Sequence, residues 1–145
     1  MTPTKNIDDF LSLFINNKDF EYIKKGKTYF LKSGSSLKSL TAEPIMPGLP
    51  LGVEDSFFKP SLFLLELLSK KTKNKVFINK EAEWLFLCGR DVFPANVAKD
   101  NSKEKVFLVQ NELDENLGLG IKTNHKGKKI IRNLIDRGDF LRREN

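Results

Sequence analysis

Residues 75–93, KVFINKEAEWLFLCGRDVF, constrain the fold of this chain most, because strand, cap, helix and stop signals follow one another there without a gap. Val76, Phe77 and Ile78 have the β-branched and aromatic composition of a half-buried pleated strand. Asn79 ends that strand and can accept the backbone N–H groups of a following turn, so it caps a helix. Glu81 and Glu83 fall in the first turn, where the helix dipole favours negative charge. Ala82, Leu85 and Phe86 share one face, and Trp84, Leu87 and Cys88 the next. This spacing predicts a core helix with little of its circumference in water and with Cys88 as a buried structural thiol. Gly89 supplies the left-handed residue that closes the helix, and Arg90 and Asp91 lead into a second extended run ended by Pro94.

Upstream, Ile7, Phe10, Leu11, Phe14 and Ile15 recur at helical spacing with Asp8, Asp9 and Ser12 outside them, which predicts an amphipathic packing helix. Residues 21–27 are charged and turn at Gly26, residues 28–31 read as a strand, and residues 33–36 carry a hairpin signal. Pro44, Pro47, Gly48, Pro50 and Gly52 exclude a helix over residues 41–52 and suit an extended crossing or an edge strand. Residues 62–68 are nearly continuous apolar sequence with Pro60 close before them. They read as a buried helix, with its apolar surface either core or a docking face and core favoured. Residues 69–75 hold four lysines and no acid, a polar hinge that places a domain boundary near Lys73.

A chain of 145 residues that is 39% hydrophobic, with 12 Phe, has enough apolar material for one domain or two small ones. One cysteine excludes an internal disulfide and suits a reducing interior. No signal-peptide pattern and no long uncharged apolar run occur, so the expectation is a soluble, cytoplasmic protein that does not enter a membrane. A net charge of +6 and a pI near 9.4 point to an acidic partner, nucleic acid being the commonest, although a Lys-rich solvated surface accounts for the same number.

Charge placement says more. All five arginines lie after residue 89, and Lys122, Lys126, Lys128, Lys129 and Arg132 fall within eleven residues that contain no acid. Lys122 reads as the end of a strand, with the others on the loop and strand that follow. Such a segment either grips a polyanion or is simply solvated. Arg132 turns inward or outward according to strand alternation. Arg90, just after the helix stop, either contacts a nucleic acid or pairs with Asp91 or another carboxylate. His125, the only histidine, has no partner cysteines for a metal site and no rigid surroundings for a catalytic triad. Residues 117–120, LGLG, lack the third glycine and the Lys-Ser/Thr of a phosphate-cradling loop, and read as a strand whose glycines let another backbone approach. No cofactor, metal or catalytic group is expected.

Residues 76–92 carry a strand, then acidic-Ala-acidic-aromatic-Leu, then Gly-x-Asp-Val, and in this they resemble the PUA domain, a small RNA-binding β-barrel. Residues 105–110, the glycine-bearing strand at 117–121, and the closing strands over 130–135 and 136–142 continue the resemblance. Pro94-Ala95-Asn96 stands where PUA domains usually place Pro-Gly-Ile, and Asn96 is expected to keep that turn with a shifted shape because asparagine tolerates positive φ. The ending DRGDFLRRE, with Leu51-Gly52 and residues 57–68, is similar to the archaeal form of the Nip-seven family of large-ribosomal-subunit biogenesis proteins. The resemblance implies an α+β architecture, with an N-terminal α/β domain over residues 1–73 and a PUA-type β-barrel over residues 74–145. It implies a non-catalytic monomer that binds rRNA precursor, with a preference for uridine-rich single strands, and that meets ribosome assembly proteins through its first domain. It assigns RNA contact to Lys122, Lys126, Lys128 and Lys129, with Arg132 and Arg90 as further candidates. Four such cations give a log–log salt slope of about −3 on single-stranded RNA. The alternatives are an assembly adaptor that binds protein and no RNA, and an RNA-modification component that uses the barrel for substrate capture.

Overall fold

The structure, a computed structural model, describes residues 4–16, 21–32 and 49–139. The chain divides into two compact units, Met1–Thr72 and Lys73–Asn145. Helices and sheets in both give a mixed, α+β class of fold.

In the first unit, Asn6 caps α1 (Ile7–Ser12) by accepting the Asp9 N–H at 2.8 Å, and Ile7, Phe10 and Leu11 are buried on one face as their spacing requires. Strands β1 (Tyr22–Lys25), β2 (Thr28–Leu31), β3 (Pro50–Glu54) and β4 (Phe58–Pro60) form an antiparallel sheet in that order, with Gly26 at φ +63° in the first turn. The edge-strand expectation for the Pro-rich run is therefore corrected over its described part: β3 is interior. Pro50 occupies its first position, where a missing donor is tolerated, and Leu51 and Gly52 are buried. Phe10 packs on Phe14 and on Phe58 with ring centroids 5.2 Å apart in each pair, and Tyr29 meets Phe58 edge-on at 6.0 Å. Ser61 caps α2 (Leu62–Lys71) through the Leu64 N–H at 3.1 Å, and Leu64, Leu65, Leu67 and Leu68 are buried, so this helix is core. The hairpin signal at residues 33–36, the breakers at residues 44–48 and the ending at residues 140–145 lie outside the described residues.

The second unit contains β5 (Lys75–Ile78), α3 (Lys80–Leu87), β6 (Val97–Asp100), β7 (Val106–Gln110), β8 (Asn116–His125) and β9 (Lys128–Asp136). Its sheet runs β6-β5-β7-β8-β9, with β5 and β7 parallel and the other pairs antiparallel. The segment that leads into β6 is bonded to β9. Val92 exchanges backbone hydrogen bonds of 2.8 and 2.9 Å with Ile131 of β9, and five residues later the same segment enters β6. The sheet thus curls towards a small barrel. Val76, Ile78, Ala82, Phe86, Val92, Phe107, Val109, Leu117 and Ile131 fill it. Gly118 and Gly120 do what their positions suggest: a methyl on Gly118 would run into the backbone of Ile135 and Asp136, and one on Gly120 would lie 2.7 Å from Ile131 and 2.9 Å from Val109.

Four expectations are corrected here. First, α3 is capped by Asn79, which accepts the Ala82 N–H at 2.9 Å, and it is followed by Gly89 at φ +90°, but it is not a core helix. Only Ala82 and Phe86 are buried. Trp84 is 70% exposed, Leu85 is 45% exposed and Cys88 is an exposed free thiol, because an eight-residue helix resting on a barrel buries one i, i+4 stripe. Second, Pro94–Asn96 forms a 3-10 turn without positive φ at Asn96. The Asn96 carbonyl accepts the Asn79 N–H at 3.0 Å, so the turn is held from α3's cap rather than by a left-handed residue. Third, the Lys-rich segment is not polar linker throughout: residues 69–71 end α2, and Asn74 and Lys75 belong to the second unit. Asn74 is buried, donating to the Val106 carbonyl at 2.9 Å and accepting the Lys103 N–H at 2.7 Å. Lys75 is also buried, with its ammonium 2.9 Å from Asp114. Fourth, Arg137–Asp139 is helical rather than strand, begun by the Asp136 carboxylate accepting the Asp139 N–H at 2.7 Å.

Candidate nucleic-acid interface

The basic segment is a hairpin, not a loop. Strand β8 continues to His125 and β9 begins at Lys128, leaving Lys126 and Gly127, at φ +50° and +79°, as a two-residue turn. Left-handed backbone at both central positions is the geometry whose twist matches the flanking strands.

That register decides where each cation points. Lys122 pairs with Ile131, Asn124 with Lys129, His125 with Lys128 and Ile121 with Arg132. Directly opposed residues share a face and successive residues alternate. Lys122, Asn124 and Lys129 therefore extend the inward row that contains Ile131, whereas Lys128 and Arg132 stand on the outward face with His125. The single patch expected from the sequence is divided. Lys126 lies at the turn and is exposed, as are Lys128, Lys129 and Arg132.

A residue outside the original set belongs with the inward group. Lys105 stands just before β7, two positions from inward Phe107, and its carbonyl accepts the Lys122 N–H at 3.2 Å. Lys105, Lys122, Asn124 and Lys129 line one hollow, and Lys122 and Lys129 also border a neighbouring one floored by Pro94, Val97 and Ile131. Three ammonium groups thus edge the end of the barrel where the apolar filling stops. The alternation Lys105-x-Phe107-x-Val109 was the signal available in the sequence.

Lys122 is not a free cation. Its ammonium lies 2.7 Å from Asp100, donates to Ser102 at 2.9 Å, and sits 5.9 Å from the Phe107 ring centroid. Asp100 is further held by the Ser102 N–H at 2.9 Å and hydroxyl at 2.6 Å. Partial burial works against its charge, but these bonds outweigh burial, and its pKa lies below the usual aspartate range. The same balance depresses Asp114, where burial is outweighed by hydrogen bonds from Lys75 and Gln110. Arg90 is exposed after the helix stop. Asp91 accepts the Asn133 N–H at 2.9 Å, so the carboxylate expected to pair with Arg90 anchors β9 instead.

Asp100 and Asp114 give the second unit a pH dependence with a definite sign. A group whose folded pKa lies below its unfolded value contributes stability that is present above the unfolded pKa and is lost as pH falls through the folded one. The urea midpoint is expected to hold between pH 7 and pH 5 and to fall below about pH 4, near the unperturbed aspartate value. Asp114→Asn is expected to lower the midpoint at pH 7 and to shrink the acid drop. A variant with the wild-type acid profile would contradict the pairing with Lys75.

Among the described residues no group of His, Cys, Asp and Glu could hold a metal ion, and no helix is long and apolar enough to cross a membrane. Cations gathered at one end of a small domain are the kind of electrostatic footprint that a polyanion recognises. Residues 74–145 match the family described as the UPF0113 PUA domain; that similarity supports a PUA domain here, and a PUA domain implies a capacity to bind RNA.

Two relatives extend the comparison. A UPF0113 protein of Archaeoglobus fulgidus is 31% identical over 112 residues, a match covering 70% of this chain and 64% of that protein. The chain therefore spans less than two thirds of that relative. A conserved PUA domain protein from Thermoplasma acidophilum has a similar fold, with a TM-score of 0.52 and 20% identity over 82% of each chain.

Proposed function

We propose that this chain is a non-catalytic RNA-binding protein of large-ribosomal-subunit assembly, of the Nip-seven kind. In this reading it holds single-stranded stretches of rRNA precursor across the end of its PUA barrel, while residues 1–73 meet assembly proteins. The observation that carries it is the placement of Lys122 and Lys129 on one inward row of β8 and β9, with Lys105 beside them just before β7. The sheet fixes the backbone spacing of these residues, so the cost of ordering on binding is confined to the lysine side chains. Bound to an assembly intermediate, the protein favours the RNA conformation it contacts best. Lys126 adds a cation at the hairpin tip, and Lys128 and Arg132 contribute general attraction from the other face.

The test is equilibrium binding of a short single-stranded RNA across a salt series. Each phosphate neutralised on a single strand contributes about −0.7 to the log–log slope, so Lys105 and Lys129, with Lys122 held by Asp100, give about −1.4, shallower than four independent cations would. No measurable binding, or an affinity that does not change with salt, would overturn the reading. It would leave the assembly adaptor, which the exposed Trp84 and Leu85 on α3 favour as the second reading.

A further inference from the structure

We infer that the recess beside the inward lysines receives an unpaired nucleobase of the bound RNA, which makes this end of the barrel a base pocket as well as a phosphate clamp. The inference rests on the RNA-binding reading above and deepens it. The recess has a volume of about 380 Å³, floored by Pro94, Val97 and Ile131 and bordered by Asp100, Lys122 and Lys129. That size falls at the small end of the range of about 300–1,000 Å³ found for ligand pockets. An apolar floor carrying a proline ring suits the flat face of a base, which single-strand-binding proteins cover with apolar and aromatic groups.

The border supplies the rest. Asp100 is already oriented by Ser102 and Lys122, so it presents a fixed acceptor beside the fixed donor of the Lys122 ammonium. Every base edge carries an N–H and an acceptor side by side, and can answer such a pair without water. Lys129 stands on the same border and Lys105 on the adjoining hollow, where the phosphates flanking an extruded base would lie. The Lys122–Asp100 pair, which removes one cation from phosphate contact, thereby acquires a role. A duplex, whose bases are stacked, cannot fill the recess without flipping one out.

The experiment compares a labelled short single-stranded RNA with a chain of abasic ribose phosphates of the same length and charge. Wild-type protein is expected to bind the RNA about tenfold more tightly, the contribution of roughly one stacked base. Val97→Phe, which fills the recess and leaves every charge in place, should remove that advantage while leaving affinity for the abasic chain unchanged. Equal wild-type affinity for the two probes would overturn the base pocket while leaving the phosphate reading standing. An RNA affinity unaffected by Val97→Phe would do the same. Failure of the protein to bind either probe would overturn both.

Discussion

Gly118→Ala is expected to cost about 3–5 kcal/mol of stability, most of what a domain of this size has to lose, by adding strain at a special φ to overpacking against backbone. Gly118 sits at φ +152°, where a side chain is strained whatever space surrounds it, and its missing Cβ faces the Ile135 carbonyl and the Asp136 Cα, neither of which is the movable end of a side chain. The neighbouring pair Gly118–Asp136 is where β9 closes onto β8, so relief would require parting the strands that carry the lysines. Urea unfolding of the variant checks this. Gly26→Ala is the comparison, since a Cβ there meets nothing within 4 Å and only the φ of +63° is unfavourable, a loss of about 1–2 kcal/mol. Equal losses at the two positions would contradict the close approach of β8 and β9.

Much of the fold is legible in residues 75–93, where local signals and tertiary structure agree. Asn79 caps, Gly89 stops, and Ala82 with Phe86 faces the barrel. The burial of α3 was not legible. Trp84, Leu85 and Cys88 are apolar, and periodicity cannot distinguish an apolar face that is covered from one that is left open. The glycines of β8 were readable as points of close approach because a strand otherwise gains from side chains. Pro50 and Gly52 misled for a related reason. Proline excludes a helix but does not choose between an edge and an interior strand when it stands at the first residue.

The candidate site was legible in part. The run of cations from Lys122 to Arg132 was visible, but its division into two faces depends on where β8 ends and β9 begins. A turn of two residues, rather than a longer loop, sets the alternation that turns Lys129 inward and Lys128 outward. Lys105 was passed over because it lies outside that run, although Phe107 and Val109 two and four residues on mark its face. Asp100 lies 22 residues before its partner Lys122, and only the closed barrel brings them to 2.7 Å.

The central claim is that the inward row, and not the outward face of the hairpin, holds RNA. Lys122 and Lys129 stand on adjacent strands with Lys105 just before the next, and the phosphate contacts of Lys105 and Lys129 and the Lys122 donor at the recess are each worth about 1 kcal/mol after solvent screening. Replacing all three by Ala should therefore weaken single-stranded RNA binding about 100-fold. Lys128→Ala with Arg132→Ala removes charge from the opposite face, where only long-range attraction is lost, and should weaken binding less than about threefold at physiological salt, where the screening length is about 8 Å. The direct measurement is RNA affinity for these two variants, each verified as folded by its urea midpoint. A large loss for the inward set with a small loss for the outward pair is the predicted result, and equal losses, or the reverse order, would contradict it.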